Sequence, residues 1–582
     1  MKLRRIAAAL MAAIMCSVMF AAPAGAVWKP PVQPIPDNVG GIVEKCVAQN
    51  GDKTAGMAVA VFSADEEAYS GCFGHINKEK GLETGYDSVF EWGSVTKLTV
   101  WVSVMQLWEK GLIDLEADIR EYLPEGFLKN LTYDKPVTMT DLMNHQAGFQ
   151  ESYYDIFIAD GQPIEPLGEL LSTKQPEQIF EPGTITAYSN FSAALAGYIV
   201  ECISGQEYYE YVNEHIFAPL AMRHASVKPD YSDNKFVREH WEQLECYDTD
   251  ANPLPFSDYA VEIYPAGSCA STIGDFELFA RALLTGKGLF ENPETLDVLF
   301  TPTSVYPGTD IPKNCHGFWM IPYGRPLYGH GGNTAGCSSY LLLDIENKVG
   351  AVVMTNQSGE VYYNGFMMEE IFGKFSGVYY FDGDRELPDD WYKPARNFFK
   401  NGFKMVSLGF QGYEKDSLSE FWVYDRETGI VSAPYGDSVP VNKAGAIGEV
   451  VLTGLWALAL VCCFVLLMIR LIVKLRKKDK RPLGTWGVLS SVMQLAVLNI
   501  TVFIVLSAMS YAASSTYAWG FTAICALLAA MIGLAVYGLI RYIKERGEMN
   551  KGSRAFNVLS LVCLAVSIAN ILYWNMFIFW KF

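Results

Sequence analysis

The alternation of hydrophobic and polar positions divides the chain into segments of different kinds. Asn38–Gln49 carries apolar residues at helical spacing, and two alternating stretches follow, Gly56–Phe62 and Ala68–Phe73, joined by a polar turn. A helix-rich middle runs roughly from 94 to 290. Strand patterns return at Gly317–Ile321, Ser338–Asp344 and Gly350–Thr355, and a helical pattern spans Glu360–Phe375. Strands from both ends of a segment with helices between them predict one sheet closed by distant parts of the chain. The expected architecture is therefore α/β, a sheet domain with an inserted helical domain, and clefts between two such lobes commonly hold a site.

The two ends follow other patterns. Lys2, Arg4 and Arg5 precede an apolar stretch from Ile6 to Phe20 and an Ala24-Gly25-Ala26 cleavage site, so residues 1–26 read as a signal peptide cut after Ala26. That apolar run is shorter than the roughly 20 residues a membrane span needs. Toward the other end, residues 450–469 are uncharged, no charge occurs from Pro482 to Ile540, and a last uncharged run covers Ala555–Trp580. These lengths predict four spans, near 447–473, 484–511, 517–540 and 555–580, with a turn near Ser514-Ser515-Thr516. Both basic stretches, Lys474–Arg481 and Arg541–Arg554, fall between spans one and two or three and four, which places them in the cytoplasm and the acidic front outside. The spans hold Gln494, Asn499, Asn557, Asn570 and Asn575 but no mid-membrane charge, a pattern of helix–helix contacts in an anchor more than of an ion path. Between 376 and 445 lies a stretch read as a small β-rich juxtamembrane element, with runs such as Phe421–Tyr424, ending in a linker near Pro434–Pro440. The expected division is thus 1–26, 27–375, 376–445 and 446–582.

Charge sharpens this division. Residues 446–582 hold 13 basic and 4 acidic residues, whereas 27–445 hold 29 and 60. An acidic exterior body makes nucleic acid and anionic wall polymers poor partners and leaves the lipid bilayer as the partner of the basic end. Half the residues are hydrophobic and 19% are charged, which excludes a disordered or collagen-like chain. The 7 His residues form no HExxH, and no pair of the 12 Cys has zinc-finger spacing, so neither a metal site nor a cofactor is expected. Nothing in the sequence sets an oligomeric state.

Three segments carry candidate chemistry. Ser94 and Lys97, in Phe90-Glu91-Trp92-Gly93-Ser94-Val95-Thr96-Lys97, begin an apolar helical run and share one helix face. A buried lysine beside a serine at a helix start suits nucleophilic catalysis. Glu181–Ser192 contains Tyr188 and Asn190 in a loop ahead of a helix at Ala193–Ile203, placed to offer a phenol and an amide to a cleft. Gly329–Gly336 precedes the strand at 338, and its glycines would let a substrate backbone lie close to the strand edge.

In this order the three segments resemble the serine beta-lactamase-like hydrolases, the class C beta-lactamase, DD-peptidase, D-aminopeptidase and esterase group. Its signatures S-x-x-K, Y-x-N and K-T-G or H-x-G correspond to Ser94/Lys97, Tyr188/Asn190 and His330/Gly331/Gly332. Met139–Phe149, His215–Met222 and Pro265–Thr272 also look familiar, and the resemblance covers about residues 35 to 375. It implies a beta-lactamase/transpeptidase-like fold, an antiparallel sheet flanked by helices with an inserted helical domain, ahead of the four-helix membrane domain. It further implies that Ser94 forms an acyl-enzyme, that Lys97 and Tyr188 share general acid–base work, and that the backbone N–H groups of Ser94 and Asn333 stabilise the oxyanion. Asn190, His330, Gly331 and Gly332 would contact substrate, and Glu91 is a weaker candidate for reading a substrate amine. Histidine at 330, where the lactamases carry lysine, gives up a fixed cation and implies poor turnover of penicillins.

The leading expectation is an outward-facing, membrane-anchored serine hydrolase acting on a small peptide or an ester, a D-aminopeptidase-like or carboxypeptidase-like enzyme or an esterase. A penicillin-binding or beta-lactam-sensing protein with slow turnover stands as the alternative. A transporter with a vestigial hydrolase is opposed by the intact Ser94, Lys97 and Tyr188.

Overall fold

Alternating burial along a single strand determines the layering. The computed structural model describes residues 35–150, 157–159, 161–254, 259–375, 390–396, 421–477, 486–509 and 514–577; the signal segment lies outside them. Helix α1 (Val39–Asn50) leads into β1 (Met57–Ser63) and β2 (Glu67–Phe73). Met57, Val59 and Val61 of β1 pack with Val39 and Val43 of α1, while Ala58, Ala60 and Phe62 point into a second, larger core. Both faces of β1 are therefore covered, and each large side chain so buried contributes about 1.5–3 kcal/mol.

The inserted lobe holds α2 (Lys97–Glu109), α3 (Asn190–Ser204), α4 (Ile273–Thr285) and several shorter helices. Every residue of α2 from Lys97 to Leu107 is buried, so this helix forms the centre of the lobe. The chain then returns to the sheet with β3 (Ser304–Val305), β4 (Pro312–Cys315), β5 (Phe318–Pro322), β6 (Pro326–Asn333), β7 (Ser338–Asp344) and β8 (Val349–Thr355). The order across the sheet is β3-β4-β5-β6-β7-β8-β1-β2, antiparallel throughout. The helical pattern after β8 resolves into two consecutive short helical segments, Tyr362–Met367 and Met368–Phe372, which pack on the α1 side of the sheet. This is the beta-lactamase/transpeptidase-like fold, with sheet strands supplied by both ends of the domain.

Four further strands form a separate antiparallel sheet: β9 (Tyr392–Pro394), β10 (Val423–Tyr424), β11 (Val431–Ala433) and β12 (Gly436–Pro440), in the order β9-β12-β11-β10. The Gly/Pro-containing stretch expected to be a linker is here the turn between β11 and β12 together with β12 itself. Its paired backbone is docked on the large domain. Thr186 and Asp437 exchange two bonds, the Thr186 N–H to the Asp437 carboxylate (2.7 Å) and the Asp437 N–H to the Thr186 carbonyl (2.8 Å). Lys313 of β4 donates to Asp437 (2.5 Å) and to Ser432 (2.7 Å), all three being buried.

The chain ends in α5 (Lys443–Lys477), α6 (Trp486–Met509), α7 (Ser514–Glu545) and α8 (Lys551–Tyr573), four helices long and apolar enough to cross a membrane. α7 continues five residues past the expected end at 540, and α8 stops at Tyr573, with 578–582 outside the described residues. Exposed Leu455, Leu458, Phe464, Val536 and Val562 give the bundle an apolar exterior suited to lipid. Inside it, Ser567 of α8 donates to the Gln494 amide oxygen of α6 at 2.6 Å, the interhelical use of polar groups expected of such spans. α5 has 35 residues, about 50 Å at 1.5 Å each, so it exceeds a hydrocarbon core of about 30 Å. Near its start, Glu449 accepts from Lys393 of β9 (2.9 Å) and from the Tyr573 phenol of α8 (2.7 Å), which ties the small sheet to the bundle.

The Lys313–Asp437 pair gives a direct test of the docking. Asp437→Ala would leave a buried ammonium without its carboxylate, at a cost on the order of 3–5 kcal/mol. The expected result is a clearly lower thermal midpoint for the detergent-solubilised protein. Replacing both partners (Lys313→Met with Asp437→Leu) should recover most of the loss. A single variant that melts with the wild type would show that the pair does not hold the sheets together.

Candidate active site

A left-handed glycine brings the serine into place. Gly93, at φ +52°, turns the chain out of the short strand Phe90–Glu91 into a 3₁₀ turn, Gly93–Thr96, that runs directly into α2. Ser94 is half-buried on this turn, and the fully buried Lys97 donates from Nζ to Ser94 Oγ at 3.0 Å and to the Ala266 carbonyl at 2.6 Å. The S-x-x-K spacing therefore delivers a serine and a lysine in direct hydrogen-bond contact, three residues apart, at the start of the most buried helix.

The glycine-rich segment expected ahead of a strand is itself strand β6. Its register with β7 pairs His330 with Leu341, Gly332 with Ser339 and Asn333 with Ser338, whereas pairing with β5 stops at Gly329. Beyond that point the other side of β6 faces the cleft. Contact with the serine turn explains the glycines. A Cβ on Gly332 would lie 1.9 Å from the Trp92 carbonyl oxygen, and one on Gly93 would lie 2.6 Å from the Asn333 nitrogen. Ser339 fixes the same spot by donating to the Trp92 carbonyl at 2.7 Å. The side chain of Asn333 is tied back, its Oδ1 accepting from Ser338 Oγ (2.7 Å) and the Gly359 N–H (3.1 Å), so its backbone is the part that borders Ser94.

Tyr188 enters from a third direction. A capping box, Thr138 with Asp141, starts the short helix Met139–Met143. The chain then turns at His145 (φ +54°), whose carbonyl accepts from the Ala187 N–H at 2.8 Å and whose Nδ1 accepts from the Ser189 N–H at 3.0 Å. The His145 ring stacks on Tyr188 at 4.3 Å and on Trp319 at 5.6 Å, so it positions the phenol. Burial, then Lys97, His330 and Arg396, hold its pKa well below the usual histidine value. Lys97 Nζ lies 5.0 Å from the Tyr188 ring centre. The Tyr188 hydroxyl is 3.5 Å from His330 Nε2, and His330 Nδ1 is 2.6 Å from the Gly331 carbonyl, which requires the proton on Nδ1 and leaves Nε2 as acceptor. Burial and the Lys97 charge push His330 down to about 3, so it is neutral across the working range. Asn190 was expected in a loop; it is the first residue of α3, because Ser189 caps the helix by accepting from the Ser192 N–H.

Comparison with known proteins shows the family of the chain. The beta-lactamase family model matches residues 43–365, more than half of the chain. The chain belongs to the beta-lactamase family. Among its relatives, penicillin-binding protein 4 of Amycolatopsis lactamdurans is 25% identical over 356 residues, covering 58% of this chain and 89% of that protein. Beta-lactamase-like protein 2 of Dictyostelium discoideum is 24% identical, covering 70% of this chain and 76% of that one. Among solved structures, the octameric penicillin-binding protein homologue from Pyrococcus abyssi is similar at a TM-score of 0.49 and 22% identity, over 58% of this chain and 78% of that one.

Two residues at the beta-lactamase-family cleft lie outside the matched segment, and sequence patterns gave no sign of them. Tyr435 stands at the tip of the β11–β12 hairpin with φ +65°, a conformation that costs an aromatic residue roughly 1–3 kcal/mol. Its hydroxyl accepts from the Gly331 N–H at 3.2 Å, and its ring packs against His330 and Trp319 with centres 5.5 and 5.3 Å away. Arg396, just after β9, lies over the Tyr188 ring with Cζ 4.8 Å from its centre. His145 is the other residue that motif reading passed over, although it stands within the familiar Met139–Phe149 stretch.

Glu91 does not reach the cleft. Its carboxylate is buried behind the serine turn and accepts from the phenols of Tyr231 (3.0 Å) and Tyr259 (2.5 Å). The Tyr259 oxygen also lies 2.8 Å from Thr334 Oγ1 and accepts from the Gly336 N–H, so this group braces the loop after β6. Burial, partly offset by the Tyr259, Thr334 and Tyr231 hydrogen bonds, raises the carboxyl from 4.5 to about 7. It binds more protons folded than unfolded. Its stabilising contribution is therefore fully present below about pH 4.5 and lost as pH rises through about 7, a loss on the order of 3 kcal/mol. Glu91→Gln, neutral at every pH and still an acceptor for both phenols, should remove this loss. Thermal melts should show the variant more stable than the wild type at pH 8 and close to it at pH 4.5. A variant less stable at pH 8 would show that the charged carboxylate is what the site uses.

Proposed function

We propose that this protein is a membrane-anchored, extracytoplasmic serine hydrolase that works through an acyl-enzyme on a peptide or an ester. The observation that carries this reading is the 3.0 Å contact between Lys97 Nζ and Ser94 Oγ at the start of a buried helix, with Tyr188 beside the same lysine. In the proposed reaction Ser94 Oγ attacks the substrate carbonyl carbon as its one proton passes to Lys97 Nζ, which reacts as the neutral amine, and Tyr188 relays that proton onward. The carbonyl oxygen becomes an oxyanion between the backbone N–H groups of Ser94 and Asn333, one such donor being worth about 2.7–4 kcal/mol in comparable sites. Collapse breaks the bond to the amine or alcohol, which leaves with the proton returned by Tyr188 or Lys97, and water then hydrolyses the Ser94 ester.

Roles follow for the remaining residues. Neutral His330 accepts from Tyr188 at Nε2 and keeps the phenol aimed into the cleft, while Gly331, Gly332 and Asn190 border the substrate. The signal segment, the positive loops and the apolar helices support an outward-facing catalytic domain. Penicillin-binding relatives favour a peptide over an ester, and a slow-turnover binder of beta-lactams differs from this reading in its rate of deacylation alone.

Hydrolysis of a panel of D-amino-acid peptides, short-chain esters and nitrocefin by the solubilised protein tests the proposal. Ser94→Ala should abolish turnover, and Tyr188→Phe should lower kcat by 10²–10⁴-fold, the usual scale for a general acid–base. Nitrocefin should turn over poorly. Full activity in Ser94→Ala would overturn the assignment, and acylation without release over hours would favour the binder.

A further inference from the structure

The cleft edge of β6 is closed at one residue. Successive positions of an antiparallel strand turn their backbone groups alternately to either side. The Thr334 N–H donates to the Cys337 carbonyl (2.9 Å), across the hairpin that joins β6 to β7. Gly332 and His330 therefore face β7, and the N–H and carbonyl groups of Gly331 and Asn333 face the cleft. At Asn333 that edge borders the serine turn, where a Cβ on Gly93 would lie 2.6 Å from the nitrogen. At Gly331 both groups have protein partners: the N–H donates to the Tyr435 hydroxyl (3.2 Å), and the carbonyl accepts from His330 Nδ1 (2.6 Å). The Tyr340 ring covers the strand face at the same point, since a Cβ on Gly331 would meet it at 2.3 Å. β5 pairs with β6 only as far as Gly329, and Tyr435 takes the next position on that edge, its ring packed on Trp319 of β5.

We infer that Tyr435 is a specificity-determining residue, confining the leaving group to a single residue or to a small amine or alcohol. This inference rests on the hydrolase reading and adds to it the size of the group that departs. A chain paired with β6 would run about 4.8 Å from it. The Tyr435 hydroxyl, 3.2 Å from the Gly331 nitrogen, stands in that track with its ring behind it. Two residues along a strand span about 7 Å, so a carbonyl held at the Asn333 N–H has room for about one extended residue before the phenol. The proton decides which side of the scissile bond meets this stop. Tyr188, the phenol that returns a proton to the departing group, lies 3.5 Å from His330 Nε2 and hence at the Gly331 end of the edge. The leaving group points that way, and the acyl group runs past Asn333 in the other direction. A longer leaving chain would have to displace Tyr435 from the Gly331 N–H, a loss that falls on kcat/KM.

The test uses full-length solubilised protein and two series of esters. In the first, benzoylglycine is esterified to glycolamide, to glycolyl-glycinamide and to glycolyl-triglycinamide, so the acyl group stays constant while the leaving alcohol grows. In the second, the methyl esters of benzoylglycine, benzoyldiglycine and benzoyltriglycine lengthen the acyl side alone. Wild type should lose tenfold or more in kcat/KM between the shortest and the longest leaving alcohol. In Tyr435→Gly, which suits the left-handed φ and removes the ring, that ratio should shrink to about threefold or less, while the ratio across the acyl series stays as in wild type. Tyr435→Asn, also tolerated at that φ, gives the same comparison if the glycine variant fails to fold. Where an ester turns over too slowly to follow, the same ratios are read from its protection of Ser94 against a neutral fluorophosphonate. Three results overturn the role of Tyr435 and leave the hydrolase reading standing: no wild-type preference for the short alcohol, a preference unchanged in the variant, or an equal shift in both series. Failure of the probe to label Ser94 in the wild type overturns the hydrolase reading, and this inference with it.

Discussion

The site depends on how closely two backbones approach. Strand β6 and the serine turn meet where Gly332 faces the Trp92 carbonyl, and a single methyl at Gly332 would overlap that oxygen at 1.9 Å. This contact holds the Asn333 backbone against the serine turn. Gly93 supplies the other half of the constraint, since its left-handed φ both turns the chain and leaves room for the Asn333 nitrogen. The buried Glu91–Tyr259–Thr334 group braces the loop on one side, and Ser339 pins the Trp92 carbonyl on the other.

Charge in the cleft is arranged around that contact. Lys97 is buried between Ser94 and a carbonyl, and burial, with Lys97 after it, opposes protonation of the two nearby histidines. The small sheet then joins this centre to the membrane bundle through a short series of bonds. Glu449 at the start of α5 holds Lys393, β9 pairs with β12, and Asp437 of β12 holds the backbone of Thr186, two residues before Tyr188. The small sheet thus borders the candidate site as well as linking it to the apolar helices.

Much of this could be read from the sequence, and the exceptions share physical causes. Strands β1, β2, β7 and β8 show alternation because one or both faces are packed, and the four apolar helices are long enough to stand out. Ser94, Lys97, Tyr188 and His330 lie together, and their short spacings are legible because one helix start, one loop and one strand edge preserve them. Strand β6 was hidden because its glycines serve the Trp92 contact and erase the usual strand composition. Glu91 was misplaced because a two-residue strand has no period from which burial can be read. Asn190 belongs to the helix because Ser189 caps it, and a serine in a polar run gives no period that marks it as the helix start. Tyr435 and Arg396 were invisible for a different reason: they come to Tyr188 through sheet docking, and no local pattern records which distant segments will pair.

An acyl-enzyme route requires Ser94 to be covalently acylated during turnover. Rapid acid quench of the full-length protein mixed with an activated ester, followed by peptide mapping in a mass spectrometer, tests it most directly. The expected result is a mass increase equal to the acyl group on the peptide containing Ser94, localised to that serine, appearing before steady-state product and decaying as substrate runs out. Turnover of the ester with no acyl mass on Ser94, or with the acyl group on another residue, would contradict it.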